Sequence, residues 1–196
     1  MFRQKDQVVI IRCLFLSIVL GAMTASAVGS FSIPAMDLLS GSLTELQRTV
    51  WIEIRLPRVI LSGLVGASLG LSGAALQGLF RNPLADPGLI GVSAGAALGA
   101  AVVIVLTSDL FIPSSLELFL LPMAGIIGAS MVTLLLFIFS KGFGYQGVTY
   151  LLLIGIAVNA IASVGIGILT YISTDSELRS LTFWTMGSFG GVTWSV

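Results

Sequence analysis

The sequence predicts an all-α fold, a polytopic bundle of transmembrane helices, and three observations predict it. Hydrophobic residues make up 56% of the 196 residues. Charged residues make up only 9%, where a soluble domain carries about a quarter. The apolar residues also gather into five long runs without a charge: Cys13–Gly29, Val59–Phe80, Leu89–Thr107, Leu118–Phe139 and Val148–Ile172. A run of ~20 apolar residues crosses the ~30 Å hydrocarbon core as a helix. Residues 1–196 therefore read as a single membrane domain, with five spans and one short interfacial helix.

The first run follows Arg3, Lys5 and Arg12 and ends in Ala25-Ser26-Ala27. That layout also fits a cleavable signal peptide with an A-x-A site; a retained first helix is the expected form. The loop to the second run is long, and Leu43–Ile54 is amphipathic enough for a surface helix. The second and third runs are crowded with Gly, Ala and Ser, residues that let membrane helices meet backbone to backbone. They are expected to form a tightly packed hairpin. In the eight residues between them, Asn82-Pro83 starts a turn, and Asp86-Pro87 resembles an N-cap followed by proline at the first helical position. Arg81 closes the preceding helix, where a cation suits the negative end of the dipole. After the fifth run, Thr174 and Glu177 have capping-box spacing. Leu178, Leu181 and Trp184 then recur at helical spacing, which predicts the interfacial helix over Glu177–Met186. Trp184 and Trp194 are expected at headgroup level.

Orientation follows from the positive-inside rule. With the N-terminus inside, Arg3, Lys5, Arg12, Arg81 and Lys141 lie inside and Arg48, Arg55, Arg58 and Arg179 outside. The bias is slight because Arg55 and Arg58 stand before a helix whose positive end they should avoid. Setting these two aside favours an N-in arrangement. Two arginines so placed call for a recognition role.

Several function classes are excluded or weakened. Net charge is zero, so no basic surface suggests nucleic acid. Cys13 is the single cysteine and histidine is absent, which removes a cysteine metal cluster and the commonest metal ligand and general base. Gly66-Ala-Ser68-Leu-Gly70 and Gly70-Leu-Ser72-Gly73 mimic serine-hydrolase and rhomboid patterns. These serines lie within a predicted membrane helix with no histidine to serve them. No catalytic residue, metal site or cofactor is expected. No G-x-x-x-x-G-K-[ST] motif is present, and no Asp, Glu, Lys or Arg lies mid-membrane to couple protons or sodium. Transport would draw its energy from a partner.

Gly91, Gly95 and Gly99 recur every fourth residue in the third run, and Gly66 and Gly70 do so in the second. Both stripes read as helix-packing faces. Asn159 is strongly polar near mid-span, and an interhelical hydrogen bond or the lining of a water-filled path would each account for it. Gln77 and Ser163 join it as candidates for such a path, while Met123, Met131 and Met186 read as packing residues.

At RLPR (Arg55–Arg58) and SGAALQGLFRNPLADPGLIGVSAGAALG (Ser72–Gly99) the chain resembles the FecCD-like permease subunits of type II ABC importers. LLLIGIAVNAIAS (Leu151–Ser163) and FWTMGSFGGVTW (Phe183–Trp194) extend the likeness. The resemblance implies a permease of about ten spans, of which this chain matches roughly the first 60%, so a truncated product is expected. It implies a homodimer in the bacterial inner membrane, served by cytoplasmic ATP-binding subunits and a periplasmic substrate-binding protein. Arg55 and Arg58 would dock acidic residues of that protein, and the fifth helix would line the path. The transported substrate would be an iron chelate. Gly165–Ser188 looks closest to haem permeases, with siderophore and cobalamin permeases as alternatives. The competing classes are a structural membrane protein, a channel and an intramembrane enzyme.

Overall fold

The computed structural model describes residues 4–108, 110–140 and 147–194. Arg3 and Lys141, which enter the charge count above, lie outside the described residues, as does residues 141–146 of the expected inside loop. The helices are α1 (Gln4–Ala27), α2 (Ala35–Ser40), α3 (Glu45–Thr49), α4 (Leu56–Phe80), α5 (Val92–Leu106), α6 (Ser114–Ser140), α7 (Gly147–Ile172) and α8 (Asp175–Met186). No strand occurs among the described residues. The chain divides into two compact units, Met1–Ala67 with Phe189–Val196, and Ser68–Ser188.

In the first unit, α1 turns almost all its apolar side chains outward, as a lipid-facing helix does. The amphipathic segment expected to be a separate surface helix is not separate. A capping box of Thr44 and Gln47 starts α3, a π-helical stretch Val50–Arg55 follows, and the helix runs on into α4 without a break. Proline explains the π stretch. Pro57 would clash with a carbonyl in a regular helix and returns no N–H, and a π-bulge is a common way to absorb such a defect. Here the Leu56 N–H already reaches back five residues to the Trp51 carbonyl.

The second unit is built on α5, which packs against α6, α7 and α8. Its core is Ala101 and Val105 from α5, Leu169 from α7 and Leu181 from α8. The α5–α6 seam is backbone-close. A methyl group at Gly95 would meet Val132 Cγ2 and lie 2.8 Å from the Gly128 carbonyl oxygen, and one at Gly99 would meet the Ala124 carbonyl oxygen. Along α4, by contrast, Gly66 and Gly70 have nothing within 4 Å. The small-residue stripe of the third run thus meets α6 and α7.

The third span is also shorter than expected. Helices Asp6–Ala27, Glu45–Phe80, Leu116–Phe139 and Thr149–Ile172 are long and apolar enough to cross a membrane. With 15 residues, α5 is not, so the described residues hold four membrane-length helices where five spans were expected. The reason is local. The Asp86 side chain accepts from the Gly88 N–H at 2.9 Å, as an N-cap should. It caps only a 3₁₀ turn, Pro87–Ile90, which Gly91 ends in the left-handed region at φ 83. Leu89 and Ile90 belong to that turn and not to the helix.

The capping box of Thr174 and Glu177 opens α8. Leu181 faces the core, and the Trp184 ring lies 3.6 Å from the position a Gly125 Cβ would take. The short helix is therefore docked on the bundle through both residues.

Candidate functional site

Arg55 ends the π-helical stretch, and its side chain is 8% exposed. Its guanidinium is committed to main-chain carbonyls. Nη1 donates to Ser26 O at 3.1 Å and Ala27 O at 2.6 Å, and Nη2 donates to Phe31 O. Two of these carbonyls end α1, where a helix leaves its last C=O groups without partners. A cation there also suits the dipole. The close approach requires Gly29, since a Cβ there would lie 2.7 Å from Arg55 Nη2. The geometry makes Arg55 a clasp on the end of α1, with no free donor fork to offer a partner.

Arg58 lies one turn further on and is half-buried. Its Nη2 donates to the Gly190 carbonyl, while its Nε is buried without a partner among the described residues. Both arginines line a cleft of about 500 Å³ with Gly29, Phe31, Val59 and Phe189. Beside them Trp194 Nε1 donates to Ile52 O at 2.7 Å. In the π register, Ile52 is the residue whose carbonyl Pro57 would have bonded had it an N–H. Trp194 supplies that missing donor, a role its expected place in the headgroups does not include.

In the second unit Asn159 is on α7, half-buried. Its Nδ2 donates to Gly88 O at 3.1 Å and to Leu89 O at 3.4 Å. Both acceptors belong to the 3₁₀ turn before α5. Of the two explanations the sequence allows for Asn159, the hydrogen bond is the one present, and its partner is a loop backbone. Ser163 lies one turn along α7 and is exposed; Gln77 is exposed near the end of α4. Among the described residues no hydrogen bond joins these three side chains.

The segment between the helices is well made for a tight turn. Arg81 takes a positive φ of 49 and lets the Asn82 N–H return to the Gln77 carbonyl at 3.2 Å. Asn82 Oδ1 then accepts from the Leu84 N–H at 2.9 Å. This is the RNPLADPG stretch. The FecCD transport family matches residues 9–196.

The chain belongs to the FecCD transport family. The hemin transport system permease protein HmuU of Yersinia pestis is 41% identical over 182 residues, 93% of this chain and 54% of that protein. The vitamin B12 import system permease protein BtuC of Salmonella newport (strain SL254) is 43% identical over 145 residues, 74% of this chain and 42% of that one. A solved inward-facing structure of a metal-chelate type ABC transporter superposes with a TM-score of 0.75 at 34% identity, covering 95% of this chain and 55% of its own. The chain thus spans about half the length of the relatives it matches.

Two residues of this FecCD-family chain escaped sequence reasoning. Gly29 carries no motif, and only its contact with Arg55 gives it a role. Gly155 sits in α7 outside either glycine stripe, yet a Cβ there would lie 2.5 Å from the Leu89 carbonyl oxygen and 2.8 Å from Ile90 Cα. A lone glycine facing a polar residue one turn away is the signal that could have found it.

Proposed function

We propose that this chain forms the membrane-embedded path of an ABC importer that brings a metal chelate, haem first among them, across the bacterial inner membrane. It would act beside a second permease copy, with ATP hydrolysed by cytoplasmic partner subunits and substrate delivered by a periplasmic binding protein. The observation that carries the reading is the 41% identity to a hemin permease, held over 93% of this chain. The similarity to a vitamin B12 permease keeps cobalamin as the second reading, and a ferric siderophore is the third.

Under this reading the N-terminus is cytoplasmic and the arginine cleft faces the binding protein. Arg58 is the better docking residue, because it is only half-buried while Arg55 is buried and spent on carbonyls. Arg55 would support docking indirectly, by fixing the backbone over 26–31 beneath the surface. Asn159, Ser163 and Gln77 remain path candidates; Ser163 and Gln77 expose hydroxyl and amide groups on otherwise apolar helices.

The importer that contains this chain can be tested in a haem auxotroph lacking its own haem uptake, with haem, a ferric siderophore or cobalamin supplied in turn. Growth on haem that depends on the ATP-binding subunit is the expected result. Uptake of cobalamin alone would replace the haem reading, and uptake of none of the three would overturn the import reading. The Arg58→Glu variant should assemble yet lose crosslinking to its binding protein; unchanged crosslinking would remove Arg58 from the docking surface.

A further inference from the structure

The turn that precedes α5 does not sit where a loop between two spans belongs. The direction of α5 and α7 follows from two contacts: Gly91 meets Gly155 and Val158, and Gly165 meets Leu98. The helices run parallel, and seven residues further along α5 the partner is seven to ten residues further along α7. Val105 and Leu169 then share the core near the far ends. Hence α5 runs beside only the second half of α7, and its first residue is level with Gly155–Asn159.

Depth follows from the rise of a helix. With 26 residues, α7 is about 39 Å long, and a ~30 Å core leaves roughly 4–5 Å of overhang at each end. Gly155 and Asn159 stand about 12 and 18 Å from the start of α7, which puts them roughly 8 and 13 Å inside the hydrocarbon. The length of α5 gives an independent figure. Its 15 residues span about 22 Å, so a helix whose far end reaches one boundary begins about 8 Å short of the other.

We infer that residues 86–91 form a re-entrant turn at membrane depth, seated in a notch on α7 made by Gly155 and held there by Asn159 as a positioning residue. Backbone at that depth has no water to satisfy it and is tolerated only where protein or a wet cavity does so. The hydrogen bonds fit this demand. Asp86 Oδ1 accepts from Gly88 N, and Gly88 O and Leu89 O accept from the Asn159 amide. Gly155 gives the turn its room, since any side chain there would strike Leu89 O and Ile90 Cα. This explains why the strongly polar residue of α7 faces the turn's carbonyls. It also ties the turn to α7, so that a shift of one carries the other. The inference rests on α7 being a membrane span, and the test separates the two.

Single cysteines at Leu89 and Ile156, in a Cys13→Ser background, are spin-labelled in the chain reconstituted into phosphatidylcholine vesicles. Depth is read from collisions with oxygen and a water-soluble nickel chelate. Both native side chains are exposed, Leu89 47% and Ile156 57%, so each label has room. The two depths should agree, and both labels should be shielded from the nickel chelate. A shallow label at 89 with a deep one at 156 would overturn the re-entrant turn alone. Shallow labels at both would overturn the membrane span itself. In Asn159→Leu the label at 89 should become more mobile and more accessible to nickel while that at 156 is unmoved, and Asn159→Gln, which keeps an amide donor, should recover part of the immobilisation. An unchanged label at 89 in Asn159→Leu would refute the positioning role. Should Asn159→Leu fail to fold, Asn159→Ala supplies the same comparison.

Discussion

Replacing Gly95 by alanine adds one methyl group to the backbone-close seam between α5 and α6. That methyl would meet Val132 Cγ2 and stand 2.8 Å from the Gly128 carbonyl oxygen. Ordinary contact lies near 3.5–4.0 Å, so α5 and α6 must part by roughly 0.7–1.2 Å or α6 must shift its backbone. A gap of that size forfeits about a quarter to a half of the dispersion energy of each atom pair along the seam. Overpacking of a tight core typically costs about 1–3 kcal/mol, and the same range is expected here. Gly66→Ala is the control. It gains the same backbone rigidity, but its methyl has nothing within 4 Å, so the difference between the two variants isolates packing. Both are compared by thermal unfolding in one detergent, followed by circular dichroism. Gly95→Ala should melt lower than the parent, and Gly66→Ala at or above it. Equal melting of the two variants would refute the claim that the 91/95/99 face is a backbone-close seam.

Three further outcomes are expected. Arg55→Met leaves three carbonyls without donors, at a cost of about 1–3 kcal/mol for each buried group left unpaired; hydrogen exchange at the Val28 amide should accelerate, and Gly29→Ala should reproduce part of the effect. Glu177 is held below the ordinary glutamate range first by a hydrogen bond from Ser108 and then by the Thr174 N–H. Its contribution is therefore complete above about pH 4.3 and is lost as pH falls through its lowered value, so the parent should weaken in acid where Glu177→Gln does not; parallel acid profiles would discount the carboxylate. Cysteines at Ser42 and Asn82 in a Cys13-free background test orientation: in intact spheroplasts an impermeant thiol reagent should label position 42 and spare 82, and the reverse would invert the topology.

Much of the fold was legible because membrane helices announce themselves by length and lack of charge. The ends of α6 and α7 lie within a few residues of the apolar runs that predict them, and the capping box at Thr174 and Glu177 forms as its spacing suggests. What hydropathy could not reveal is where an apolar run stops being helical. Leu89 and Ile90 are as apolar as the residues of α5, yet Gly91 at positive φ cuts them off. Nor does a glycine stripe name its partner. Gly66/Gly70 and Gly91/Gly95/Gly99 look alike in sequence, and only the second finds facing backbone among the described residues. Arg55 is a different case. Its position at a helix entry suggested a free charge, whereas the carbonyls that hold it come from residues 24 to 29 positions earlier.

Arg55, Trp194 and Asn159 share one physical task. Each donates to main-chain carbonyls left over where the helix is broken or distorted: the end of α1, the π stretch before Pro57, and the turn before α5. In water such carbonyls would need no help, because solvent bonds them at little cost. In an apolar setting each unpaired one costs several kcal/mol, so a chain that departs from regular helix must carry a donor to the place of departure. The order of inference for polar residues in such a sequence is then set by energy. A guanidinium, indole or amide is assigned first to the nearest irregular backbone, and only donors left over are free to meet a partner or a substrate. By that rule half-buried Arg58, which donates to one carbonyl among the described residues, is a stronger recognition candidate than Arg55, buried and bonded to three. Ser163 is a purer path candidate than Asn159, because no turn claims its hydroxyl.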